Sequence, residues 1–100
     1  MGTLGLKIYG ETEIARFCRK HANSRKVLQR FLSIAREAEW PHFPAVKLTF
    51  RSADYAPSTG TVIFDLGGNK YRLLARVDFD ERALFIERIM THEQYDREDL

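Results

Sequence analysis

Apolar and polar residues alternate from Leu6 to Tyr9 (LKIY) and the run stops at Gly10, which predicts a short first strand. The period then lengthens. Ile14, Phe17, Cys18 and His21 recur every three or four positions, so a helix is expected with Thr12 placed as its N-cap. Ala22-Asn23-Ser24 interrupts it and offers Asn23 or Ser24 as the next cap. A second helix follows, with Val27, Leu28, Phe31, Leu32, Ile34, Ala35 and Ala38 on one broad face and Arg25, Lys26, Arg30 and Arg36 elsewhere. It should run to about Trp40, because Pro41 disfavours a helical residue before it. Pro44 can open a short helical piece over Ala45 to Phe50, and Ser52 to Gly60, rich in turn formers and without periodicity, reads as a loop.

The second half switches to period two. Thr61 to Leu66 (TVIFDL) and Lys70 to Phe79 are strands joined by a two-residue turn at Gly67-Gly68 or Gly68-Asn69. Either turn puts Val62, Phe64 and Leu66 on the face shared by Tyr71, Leu73, Ala75, Val77 and Phe79, which is the expected core face under the two helices. The opposite face carries Lys70, Arg72 and Arg76 and should be an open cationic surface. Ala83 to Thr91 (ALFIERIMT) returns as a last strand whose parity stays open, since one choice turns Glu87 inward and the other Arg88. Thr91 can cap a final turn, HEQYD. The order is one strand, two helices and a three-stranded antiparallel meander, an α+β domain occupying residues 1–100 as one unit.

Composition narrows the class. With 44% hydrophobic and 30% charged residues the chain is ordinary globular material. The single cysteine, Cys18, excludes an internal disulfide framework and fits a reducing cytoplasm. No basic segment followed by a long apolar stretch opens the sequence and no apolar run has the length of a membrane span, so a soluble cytoplasmic protein is expected. The net charge of +2 conceals an asymmetry. Residues 1–60 hold ten Lys and Arg against five Asp and Glu, a balance of +5, whereas residues 61–100 hold six against nine, a balance of −3. A basic surface supplied by the first half suits a polyanion, although such a face is equally a solvated one.

Polar function concentrates in GGNKYR (Gly67 to Arg72) and THEQYD (Thr91 to Asp96). Lys70 and Arg72, at i and i+2 on one strand face, stand roughly 6.5–7 Å apart and suit two contacts on a phosphodiester. His92, Tyr95 and Asp96, at i, i+3 and i+4 of the terminal turn, can point one way. Cleavage of RNA by its own 2′-hydroxyl needs these types: a base for the hydroxyl, an acid for the departing 5′-oxygen, and fixed cations for the charge growing on phosphorus. Plainer readings stand beside these. Lys70 can pair with Asp65 across the hairpin, His92 can be a bystander of the cap, and Tyr95 can cover the end of the sheet. His92-Glu93-x-x-Asp96 lacks the last histidine and the third ligand of a zinc helix, and the chain offers no convincing metal cage. Cys18 reads as core, and His21 and His42 as structural or surface residues.

The segment VIFDLGGNKYRLLARVDF followed by THEQYD resembles the HigB family of bacterial toxins, mRNA interferases related to RelE. Ala38-Glu39-Trp40, Val46-Lys47, Phe50 and Ser52-Ala53-Asp54 match that family's A-x-W, V-K-x-x-F and S-A-D elements at similar spacing, so the likeness spans roughly residues 30–96. Two positions depart: Asp65 stands where the family has Asn, and Gln94 where Glu is common. The resemblance implies a RelE-like sheet packed on two helices and a cytoplasmic bacterial endoribonuclease that needs neither metal nor cofactor. Its expected substrate is mRNA, free or on the ribosome, and its expected partner a HigA-like helix-turn-helix antitoxin. By motif match Arg72, His92 and Tyr95 are its expected catalytic residues, with Lys47, Asn69, Lys70, Arg76 and Asp96 on the RNA. Two rivals carry the same residues: a module of this fold that holds RNA or ribosome without cutting, and a domain that binds only protein.

Overall fold

The computed structural model describes residues 5–97. The elements in chain order are β1 (Lys7–Tyr9), α1 (Glu11–Lys20), a 3-10 turn (Ala22–Ser24), α2 (Arg25–Glu37), α3 (Phe43–Thr49), β2 (Asp54–Ala56), β3 (Thr61–Leu66), β4 (Tyr71–Asp78), β5 (Ala83–Thr91) and α4 (His92–Arg97). The strands form one mixed sheet in the order β1-β5-β4-β3-β2. Only β1 runs parallel to its neighbour, and the remaining pairs are antiparallel. The class is α+β, as the periodicities predict. The sheet is larger than the expected meander because β1 joins one edge and β2 the other.

The core lies between one sheet face and the first two helices. Ile14 and Cys18 of α1 and Leu28, Phe31, Leu32 and Ala35 of α2 pack with Val62, Phe64, Leu66, Leu73, Ala75, Leu84 and Ile86. An aromatic knot closes one end, with Phe31, Trp40 and Phe50 all within 5.0–6.1 Å of the Phe64 ring. Each such side chain contributes roughly 1.5–3 kcal/mol by leaving water. The one polar atom of Trp40, Nε1, donates to Thr49 Oγ1 at 3.0 Å, so the indole is buried without an orphaned donor.

Several local expectations are corrected. Thr12 lies inside α1 and caps nothing, because Gly10 takes the N-cap position with φ 90°, a left-handed conformation that glycine adopts freely. Ser24 does not cap α2 through its side chain: it is fully buried and its hydroxyl turns back to donate to the His21 carbonyl at 2.6 Å. α2 stops at Glu37, short of Trp40, since Ala38 is extended (φ −73°, ψ 147°) and the chain leaves the helix to carry Trp40 into the core. The short helix starts at Phe43, with Pro44 in its first turn. The segment read as a loop contains β2, whose Asp54, Tyr55 and Ala56 pair with Ile63, Val62 and Thr61. The turn formers on either side, Ser52, Pro57, Ser58 and Gly60, hide so short a strand.

Between β3 and β4 the register is the one a Gly68-Asn69 turn gives, with Leu66 opposite Tyr71, and Gly67 and Lys70 lie outside the strands. Gly68 and Asn69 both have positive φ, 64° and 79°, as a tight hairpin requires. The parity of β5 is settled by a bulge. Ala75 pairs with Ile86 and Leu74 with Arg88, so Glu87 is an extra residue. Leu84 and Ile86 therefore face the core before the bulge and Ile89 packs against it afterwards, while neither Glu87 nor Arg88 is driven inward.

Candidate active site

The second sheet face bears a small apolar cluster of its own, Ile63, Leu74 and Met90, against which Ala56 and Tyr95 pack. At its end the β3–β4 turn, the start of β4 and the whole of α4 converge. The join is a backbone hydrogen bond, His92 N–H to the Lys70 carbonyl at 2.8 Å. α4 follows β5 without a linker, and a reciprocal cap starts it. The Gln94 backbone N–H donates to Thr91 Oγ1 at 3.1 Å, and the Thr91 N–H donates to Gln94 Oε1 at 2.9 Å. This is a capping box, so Gln94, a departure from the resemblance, serves here as the reciprocal acceptor.

Arg72 is the hub. Its Nε lies 2.9 Å from Asp65 Oδ1, and the two residues face each other directly across the hairpin. Nη1 reaches the carbonyls of Asn69 and Tyr71 at 3.3 and 3.4 Å, and Nη2 lies 3.0 Å from His92 Nδ1. The guanidinium carbon stands 5.2 Å from the centre of the Tyr95 ring, a cation–π distance. On its other side the His92 ring meets Asp96, with Nε2 3.1 Å from Oδ2. A guanidinium only donates, so Nδ1 must be the accepting nitrogen and Nε2 carries the hydrogen that faces Asp96. In this arrangement His92 is a neutral imidazole held in one tautomer between a cation and a carboxylate.

The sequence-based expectations divide. Arg72, His92, Tyr95 and Asp96 come together as one cluster, with Asn69 joining through its backbone carbonyl. Lys70 stands on the adjoining turn, exposed and outside β4, and the bridge it might have made to Asp65 belongs to Arg72. The open cationic face is corrected: the side chain of Arg72 is only 8% exposed, and the face has an apolar middle. Arg76 is exposed four residues along β4, with Glu87 Oε2 3.4 Å away. Lys47 is exposed on the last turn of α3, and among the described residues no hydrogen bond or ion pair ties it to the cluster. The plain reading of Tyr95 also holds, since its ring covers the end of the small apolar cluster while facing Arg72. In the sequence Asp65 stood out as a departure from the resemblance and as a partner for Lys70, not for Arg72. The Gly68-Asn69 register is the signal that assigns it to Arg72 instead. Among the described residues, no three of His, Cys, Asp and Glu are grouped so as to hold a metal ion.

Comparison with known proteins covers most of the chain, this site included. A family model described as HigB_toxin, a RelE-like toxic component of a toxin–antitoxin system, matches residues 24–98. The mRNA interferase HigB of Escherichia coli O6:H1 is 24% identical over 80 residues, which cover 79% of this chain and 78% of that protein. The mRNA interferase toxin HigB of Escherichia coli K12 is 41% identical over 34 residues, 34% of this chain and 33% of that protein. A Shigella flexneri mRNA interferase HigB matches to the same extent.

Proposed function

Because this chain belongs to the HigB family, RelE-like toxic components of toxin–antitoxin systems, we propose that it is an endoribonuclease that cuts mRNA by attack of the 2′-hydroxyl on the adjacent phosphodiester. The observation that carries the reading is the Arg72 cluster. A cation meets both an imidazole of fixed tautomer and a phenol at the rim of an exposed turn bearing Lys70. Its partner in the cell would be a HigA-like helix-turn-helix antitoxin, and its compartment the bacterial cytoplasm. Its sheet-on-helices architecture is compatible with a RelE-like fold.

The hydrogen bonds support the following course. An arriving phosphate competes with His92 for Nη2 of Arg72, and a guanidinium favours a phosphate oxygen over a neutral ring nitrogen. Nδ1 is thereby released with its lone pair free. It takes the proton of the 2′-hydroxyl, and Asp96, already on Nε2, stabilises the imidazolium that forms, the part an orienting carboxylate plays in a hydrolytic triad. The 2′-oxygen bonds to phosphorus, the bond to the 5′-oxygen breaks, and Tyr95 supplies the proton that oxygen needs. A 2′,3′-cyclic phosphate and a 5′-hydroxyl result. Arg72 neutralises the pentacoordinate phosphorane, while Lys70, Asn69, Arg76 and Lys47 hold the flanking backbone.

The alternative of a module that holds RNA without cutting draws on one observation: every nitrogen of Arg72 already has a partner inside the protein. Purified protein mixed with single-stranded RNA decides between the two. Cleavage leaving cyclic phosphate ends is expected, falling about 10²–10⁴-fold in His92→Ala and by a smaller factor in Tyr95→Phe, which keeps the ring over Arg72. RNA that binds but stays intact, or cleavage unchanged in His92→Ala, overturns the assignment.

A further inference from the structure

We propose a base-binding subsite at the far end of the same sheet face, formed by the Phe85 ring and the concavity beside it, which holds an unpaired RNA base bearing an exocyclic amino group. The proposal rests on the cleavage reading above only for what lies at the other end of the strand.

Phe85 and Tyr9 are large apolar side chains left in water, 41% and 49% exposed. They are paired residues of β5 and β1, and their rings stack with centres 5.0 Å apart at 13°. In the order β1-β5-β4, Tyr9 covers the β1 side of Phe85 and leaves its other side towards Arg76, its register partner on β4. There the surface sinks into a concavity of about 540 Å³, walled by His42, Phe43, Arg76, Asp78, Asp80 and Phe85 among others. An aromatic ring held upright by a second ring, beside an arginine, is the platform on which single-stranded bases stack.

Charge decides which part of a nucleotide enters. Asp78 and Asp80 set two carboxylates against the single guanidinium of Arg76 in the wall, so Arg76 can take a flanking phosphate while the concavity itself suits a base better than a second phosphate. Carboxylates accept from exocyclic amino groups such as that of cytosine. Asp78 commits one oxygen to the Glu81 backbone N–H at 3.0 Å and keeps the other. Adenine, cytosine and guanine can therefore donate an amino hydrogen here, whereas uracil offers a carboxylate only its ring N3–H, flanked by two carbonyl oxygens that the carboxylate repels. Arg76 lies four residues from Arg72 on the same face, roughly 13 Å at strand rise. That separation sets the subsite about two nucleotides from the scissile phosphate.

The test uses the full chain and an eight-nucleotide RNA made uncleavable by 2′-deoxy sugars, with its affinity read by fluorescence anisotropy. Oligonucleotides carrying amino-bearing bases throughout should bind several-fold better than oligo-uridine. Phe85→Leu, which keeps apolar bulk on an exposed site but removes the π face, should weaken binding about tenfold, and Phe85→Tyr should restore it. Asp80→Asn should flatten the preference over uracil. Cleavage of a dinucleotide, too short to reach the subsite, should not change in Phe85→Leu, so absence of all cleavage sinks the nuclease reading while leaving the affinity comparison valid. Equal affinity and base preference in wild type and Phe85→Leu overturns the subsite. So does a Phe85→Leu protein that binds RNA normally but no longer binds its antitoxin, an outcome that makes this face a protein interface.

Discussion

Replacing Asp65 by alanine isolates the energetics of the hub. The Asp65–Arg72 pair is intermediate in burial, with side-chain exposures of 24% and 8%. An exposed pair contributes about 0–1 kcal/mol, and breaking a buried one by removing a single partner costs about 3–5 kcal/mol. Arg72 keeps neutral acceptors for Nη1 in Asn69 and Tyr71 and for Nη2 in His92, so only Nε loses its partner while the charge is left uncompensated. Asp65→Ala should therefore destabilise the protein by about 2–3 kcal/mol. For a domain of this size that lowers the melting temperature by roughly 10–20 °C. Asp65→Asn, which retains an acceptor, should lose about 1 kcal/mol. Urea unfolding of both variants, with Arg72→Met and the Asp65→Ala/Arg72→Met double variant, completes a thermodynamic cycle. The double variant should recover part of the loss, because no buried charge remains. An Asp65→Ala protein within about 0.5 kcal/mol of wild type would show that the pair acts as a surface contact, and the account of Arg72 as a buried hub would fall.

Two further perturbations probe the scaffold around the site. Gln94→Ala removes the acceptor for the Thr91 N–H, worth about 0.5–1 kcal/mol, and should loosen α4, lower cleavage and reduce the melting temperature by about 2–8 °C; faster amide exchange at Thr91 and Gln94 checks it, while Gln94→Glu should behave as wild type. Gly10→Ala forces a side chain into a left-handed φ of 90° and sets its Cβ 2.6 Å from the Ile86 carbonyl oxygen, so a loss of about 2–3 kcal/mol is expected from the urea midpoint.

How far the fold was legible depended on element length. The helices and the three long strands announce themselves because ten or more residues in a helix, or six to nine in a strand, repeat a period enough times to be seen. β2 was missed because its three residues sit among turn formers, Ser52 before them and Pro57, Ser58 and Gly60 after, which mask a strand as short as β1. The bulge at Glu87 was invisible for a related reason: the sequence displayed the conflict between Glu87 and Arg88, and the extra residue that resolves it depends on the neighbouring strand. Within the site, spacing was enough to gather His92, Tyr95 and Asp96, which lie on one short helix. Burial was not readable. Arg72 looked like an exposed strand cation because alternation assigns a face and says nothing of what covers it, and the covering groups come from two other elements, Asp65 from β3 and His92 and Tyr95 from α4.

The two strands at the margins of the sheet are its shortest, three residues each, while the eight- and nine-residue strands lie inside. A sheet margin is where unpaired backbone groups recruit foreign chains into cross-chain ladders, and the length of that margin limits how many such bonds can form. Here the inner strands are saturated by their neighbours and each margin offers only a brief template. Short margins therefore limit polymerisation through the backbone.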